Sequence, residues 1–82
     1  MEEVGKVVHY FTRIGVAAID LAKGSLAVGD TIKFKGHTTD LEQQIQSMQV
    51  ENEPVETVTA QVVVGIKVKE KVRIGDTVYK VE

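Results

Sequence analysis

Valine, isoleucine and threonine occupy 28 of the 82 positions, against three leucines and five alanines. Side chains branched at Cβ lose χ1 freedom in a helix and pack well on a pleated surface, so this chain is built for strands. Turn signals recur at Lys23-Gly24-Ser25, Gly29-Asp30, Lys35-Gly36-His37, Asn52-Glu53-Pro54 and Gly75-Asp76. They leave only short segments between them. None holds the dozen-residue helical crossover that parallel strands need, which excludes a doubly wound sheet and points to antiparallel pairing.

The spacing predicts six strands, over residues 4–10, 15–21, 31–34, 41–50, 62–69 and 77–81. In the third, Ile32 and Phe34 alternate with Thr31, Lys33 and Lys35. In the fifth, Val62, Val64, Ile66 and Val68 alternate with Val63, Gly65, Lys67 and Lys69. A period of two puts one face of each strand on a core and the other in water. In the fourth, Leu41 and Ile45 share one parity while Met48 and Val50 take the other, which predicts a β-bulge near Gln46 and Ser47. Bulges bend strands, and bent strands let a small sheet close on itself and lose its exposed edges.

The size of the chain allows one domain, residues 1–82. It has no cysteine, and neither end pairs a basic start with an apolar run. A disulfide scaffold, a thiol enzyme and a Cys-type zinc site are thereby excluded, and a cytoplasmic protein is expected. No apolar run approaches the roughly 20 residues of a membrane span. The net charge of −2 gives no global attraction to nucleic acid, so any such contact needs a local patch.

One seven-residue device occurs twice: Leu26-Ala27-Val28-Gly29-Asp30-Thr31-Ile32 returns in type as Val72-Arg73-Ile74-Gly75-Asp76-Thr77-Val78. Glycine supplies a turn that can need positive φ, and the aspartate can bond nearby backbone donors before a strand begins. Convergence on one turn accounts for the pair more simply than duplication.

These two turns, with Gly5-Lys6-Val7, Ile14 to Ile19, the Phe34-Lys35-Gly36 exit, Ile45 to Gln49, and Val64 to Val68, resemble the second, β-barrel domain of the translational GTPases, as in elongation factor Tu. The same residues also look similar to a barrel at the C-terminus of collagenase-like peptidases. Residue pattern and resemblance together give the expected fold: all-β, a six-stranded antiparallel Greek-key β-barrel of the translation-factor domain 2 type. Two positions depart from the translation-factor pattern: Ile19-Asp20-Leu21-Ala22 stands where that family has a Gly-Arg pair, and Val58-Thr59-Ala60-Gln61 replaces a Gly-rich turn. No phosphate-binding Gly-x-x-x-x-Gly-Lys-[Ser/Thr] loop is present, so no nucleotide is expected.

Catalytic chemistry finds little support. Ser25 and Ser47 lie in a turn and at the expected bulge, without a Gly-x-Ser-x-Gly setting. His37 and Asp40, even with His9, make too few ligands for a metal site. Neither an enzyme nor a cofactor is expected. The stronger pattern is basic: Lys67, Lys69, Lys71 and Arg73 recur at every second position, Lys33 and Lys35 repeat the device, and Arg13 follows Tyr10-Phe11-Thr12. In extended backbone such a series projects to one side and could meet phosphates. Plain solvation of an outer face, with protection against edge pairing, explains it too. The expected function is a non-catalytic module that binds RNA or a ribosome-associated partner through those seven residues. The alternative is a protein-interaction barrel that docks on a separate GTPase or collagenase-like peptidase through exposed apolar groups such as Val63, Tyr79 and Val81.

Overall fold

The computed structural model describes residues 1–81. Alternation becomes strands as the period of two requires: Ile32 and Phe34 are buried while Lys35 is exposed, and Val64 and Ile66 are buried while Val63 is not. The strands are β1 (Glu2–Phe11), β2 (Val16–Leu21), β3 (Ser25–Ala27), β4 (Thr31–Lys35), β5 (Asp40–Gln44), β6 (Met48–Val50), β7 (Glu53–Val55), β8 (Thr57–Thr59), β9 (Val62–Lys67) and β10 (Thr77–Val81). Every pairing is antiparallel. Eight strands form one sheet in the order β5-β4-β10-β1-β2-β9-β6-β7, and β3 with β8 makes a separate ribbon. Among the described residues no helix is long and apolar enough to cross a membrane.

The backbone ladder of the large sheet does not close, yet the sheet is strongly curled. From β5 to β9 a flat sheet would cover about 24 Å, five spacings of ~4.8 Å. Gln43 of β5 nevertheless bonds directly to the end of β9. Its Nε2 donates to the Lys67 carbonyl at 2.9 Å, and the Lys69 N–H donates to its Oε1 at 2.8 Å. One side-chain amide thus takes the place of a missing strand, giving the seam both the donor and the acceptor that a peptide group would supply. The amide is buried, so nothing else can serve those groups.

Two inserts fill the curled sheet. The β3–β8 ribbon sends Leu26 and Val58 into the core, and the Val28 N–H donates to the Glu56 carbonyl. At one end, the irregular arm between β9 and β10 turns Val68 and Val72 inward. They join Ile19, Leu21, Phe34, Ile45, Ile66 and Val78 in one apolar cluster.

The two Gly-Asp devices are the same object in three dimensions. Gly29 and Gly75 have φ of 100° and 96°, a left-handed backbone that favours glycine, at the third position of type II turns. Asp30 Oδ2 accepts the Ala27 N–H at 2.9 Å, and Asp76 Oδ2 accepts the Arg73 N–H at 2.8 Å. Each turn then grips twice one residue of a neighbouring segment, Ile45 just beyond β5 and Val7 in β1. Gly29 donates to the Ile45 carbonyl and Ile45 to the Asp30 carbonyl; Gly75 donates to the Val7 carbonyl and Val7 to the Asp76 carbonyl. The strands that follow, β4 and β10, pair with each other about Lys33 and Tyr79, which hold equivalent places after the two turns. The equivalence ends at connectivity, because β5 follows β4 directly whereas β1 comes from the other end of the sequence. Simple tandem copying does not generate that order.

The all-β, antiparallel expectation stands, but the six-stranded closed Greek-key barrel is corrected to ten strands in an open order closed by a side chain. Three strands of three residues each, β3, β7 and β8, were too short to show a period. The expected strand over 41–50 is two strands: β5 pairs with β4, and β6 pairs with β9 and β7. The phase change at Gln46 and Ser47 is therefore a corner between partners rather than a bulge. Register shifts occur instead in β1, between Glu3 and Gly5 and between Val7 and His9.

Gln43→Leu fills the same space but removes the partner of two part-buried backbone groups, and is expected to cost about 1–3 kcal/mol in urea denaturation. Asp76, buried at 5% exposure, is expected to lose more stability on replacement by Ala than the better solvated Asp30, by about 1 kcal/mol in the same measurement.

Candidate docking face

Antiparallel register decides what the wall shows to water. Along β2 the outward residues are Val16, Ala18 and Asp20, while Ala17, Ile19 and Leu21 are buried. Across from them on β9 lie Lys67, Gly65 and Val63, and on β1 Phe11 and His9 oppose Val16 and Ala18. Side chains at the centre, Ala18 and Gly65, are minimal; those around them are larger. The result is a shallow depression of about 150 Å³ lined by Phe11, Val16, Ala18, Gln49, Val63 and Gly65, with Glu51 and Asn52 at its margin. A Cβ on Gly65 would come within 3.3 Å of Gln49 Cγ and Val16 Cγ1, so the floor is as shallow as its neighbours permit.

Apolar groups crowd this face without cover. Val63 is 52% exposed and Phe11 45%, with the Phe11 ring set edge-on to the His9 ring at a centroid distance of 4.4 Å. Ile14, in the turn beyond Phe11, and Val8, the extra residue at a register shift of β1, are also exposed. The margin is held by the β6–β7 turn, whose central residues Glu51 and Asn52 both have positive φ, 51° and 66°. That makes a two-residue type I′ hairpin, whose twist matches the strands it joins. Asparagine tolerates this backbone well, whereas glutamate does not.

The opposite half of the wall is polar. Outward from β4, Lys33 faces Glu42 and Lys35 faces Asp40 on β5, and Lys33 Nζ lies 3.5 Å from Asp40 Oδ1. Tyr79, outward on β10, stands between Lys33 and Glu3. Tyr79 and Val81 are only partly exposed, so of the apolar groups expected to serve docking it is Val63 that the fold presents.

The seven basic residues separate into two groups. Lys33 and Lys35 sit across from carboxylates, on a strand that does not neighbour β9. The single six-cation stripe anticipated across two strands is therefore not formed. Lys67 ends β9, and Lys69, Lys71 and Arg73 follow on the irregular arm rather than in a strand. Arg13 joins that end of the molecule, because the Val68 N–H donates to the Gly15 carbonyl two residues beyond it. Nothing in the sequence announced that link, which is a backbone bond between distant turns.

His9 lies on the β1 face, while His37 lies in the β4–β5 turn and Asp40 opens β5, three positions from β1 in the sheet; Ser25 opens β3 and Ser47 sits in the corner before β6. Among the described residues no group of three or more His, Asp or Glu side chains gathers as metal ligands would. Phe34 is wholly buried in the core, and Tyr10 packs against it.

Comparison with known proteins bears on the choice between partners. The chain is 40% identical over 78 residues, 94% of its length, to a collagenase of Porphyromonas gingivalis, and spans 22% of that protein. It is likewise 40% identical over 78 residues to an uncharacterised protease of Methanocaldococcus jannaschii, of which it spans 19%. The chain thus corresponds to about a fifth of the length of these curated relatives. Among solved structures, the C-terminal domain of a Geobacillus thermoleovorans protein assigned to the U32 peptidases superposes with a TM-score of 0.89 at 21% identity, over 99% of this chain and 93% of that one. At that identity the match establishes the fold. No protein-family model matches the chain.

These relatives correct the resemblance to the translation-factor domain and, with it, the RNA-binding and ribosome-associated reading. The residues that carried that resemblance are chiefly the two Gly-Asp turns and the strands they launch. Any small antiparallel fold that must start a strand from a tight turn can use them.

Glu51→Asn relieves the left-handed strain of the β6–β7 turn and is expected to raise stability by about 0.5–1 kcal/mol, read as an increase in Tm of a few degrees.

Proposed function

We propose that this chain is a non-catalytic accessory domain of collagenase-like peptidases, which seats on a peptidase body through the outer face of β1, β2 and β9. The observation that carries this reading is the 40% identity over nearly the whole chain to proteins about five times longer and named as collagenase or protease. A segment that folds around its own core, matched by a solved C-terminal domain of the same shape, is a unit that a larger enzyme can carry.

The asymmetry of the wall selects the contact. Exposed Val8, Phe11, Ile14 and Val63 share one side with the small Ala18 and Gly65, while the β4–β5–β10 side is laced with paired charges. Contiguous exposed apolar surface marks an interface. A floor of Ala and Gly lets a partner's backbone or a bulky side chain approach closely. Chemistry on polypeptide would then belong to the body; among the described residues no three His, Asp or Glu side chains gather as metal ligands would.

The test uses the intact chain and a peptidase body from one of the collagenase relatives, truncated before its own matching segment. Association measured by calorimetry is expected to persist as salt rises from about 50 to about 200 mM, because apolar burial is not screened. Val63→Asp and Phe11→Asp are each expected to weaken it by about tenfold or more, with an unchanged circular dichroism spectrum. Absence of association, or cleavage of gelatin by this chain alone, would reject the proposal.

A further inference from the structure

The geometry points to a second interaction surface, at the end of the molecule plugged by the arm between β9 and β10, that takes an acidic protein segment carrying apolar side chains. It borders the β1–β2–β9 depression at Ile14 and Lys67 but centres on Lys69, Lys71, Arg73 and Ile74, which that face does not use.

Alternation along the arm is set by its plug. Val68 and Val72 are turned into the core, which drives Lys69, Lys71 and Arg73 outward together with Lys67. The Gly15–Val68 backbone bond brings the Arg13 turn alongside. Residues 67–73 with Arg13 carry a net charge of +4, leaving −6 on the rest of the chain. Both ion pairs found among the described residues use other cations: Lys33 with Asp40, and Lys80 with Asp30. The five cations at the plug have no such partner, and the one acidic group exposed among them is Glu70.

The simplest alternative, that alternating lysines keep a sheet edge from pairing, does not apply. Lys69, Lys71 and Arg73 are not in a strand and present no ladder to protect. Five unneutralised cations held close on a backbone tied down by Gln43, Gly15 and Asp76 repel one another in the free protein, and an anionic partner relieves that repulsion. The occupant is also partly apolar. Ile14 beside Arg13 is 55% exposed, and Ile74 beside Arg73 is 66% exposed. Ile74 has no part in the core: it holds the second position of the Gly75-Asp76 turn, where a polar residue would serve the backbone as well. Cations interleaved with exposed isoleucines fit Asp and Glu interleaved with Leu or Phe.

The experiment is an NMR titration of the isotope-labelled chain with a short synthetic peptide rich in Asp and Glu with interspersed Leu and Phe. Shifts are expected at residues 13–15 and 67–74, with affinity falling at least about fivefold between about 50 and about 200 mM salt. Lys67→Glu with Lys69→Glu is expected to weaken binding about tenfold or more, whereas Lys33→Glu with Lys35→Glu, on the neutralised strand, is expected to leave it within about twofold. Ile74→Ser should weaken it without altering the salt slope. Val63→Asp, which breaks docking at the other face, should have no effect, so the two surfaces fail independently. No shifts at the plug, equal loss from the two Lys pairs, or equally tight binding of a single-stranded RNA oligonucleotide of matching charge would overturn the inference.

Discussion

Gln43 sits where an open sheet would otherwise have to end. A curled sheet of eight strands brings its β5 edge against the exit of β9, and the groups there are too far apart in direction to continue a ladder. Peptide groups left unpaired at that seam would cost about 1–3 kcal/mol each. An amide is the one neutral side-chain head that offers a donor and an acceptor on adjacent atoms, so it can stand in for a peptide unit. Through Lys67 and Lys69 it also fixes where the arm leaves β9. The plug, the inward turn of Val68 and Val72, and the outward set of cations follow from that attachment.

The second constraint is the paired Gly-Asp turn. Each turn ties itself together through a carboxylate and then holds one residue of an adjacent segment by two backbone bonds. That is a way to launch a strand in fixed register from a tight turn, and the two launched strands meet about a local two-fold between Lys33 and Tyr79. Because the device answers a geometric need, it tells more about how the curled sheet is assembled than about any partner. This is why the likeness to translation-factor barrels was persuasive on residues and still gave the wrong relatives. A shared fold does not carry a shared function with it.

The exterior divides into three regions of different chemistry. The β1–β2–β9 side is apolar with a floor of small residues, the β4–β5–β10 side is neutralised by cross-strand charge pairs, and the plugged end is cationic. The division arises because each wall strand spends its inward parity on the core, so the outward parity is free to differ from one strand to the next. On a domain of this size, those outward positions are where the surface chemistry varies most.

From the order of its residues alone, this chain was bound to be all-β and antiparallel, with Ile32, Phe34, Val64 and Ile66 inward and Val63 outward. Both Gly-Asp turns were legible as well, because β-branching, a period of two and glycine with aspartate act over a few neighbours. Strands β3, β7 and β8 were not, since three residues cannot display a period and their pairing comes from segments far away. The corner at Gln46 and Ser47 looked like a bulge because a change of parity does not say which strand lies alongside. Only the tertiary structure decided that Gln43 closes the seam, that Lys33 and Lys35 face carboxylates, and that Arg13 joins the arm. The lysine pairing follows the register of the β4–β5 hairpin, while the other two depend on groups distant in sequence meeting within hydrogen-bond distance, a meeting fixed by the curl of the whole sheet.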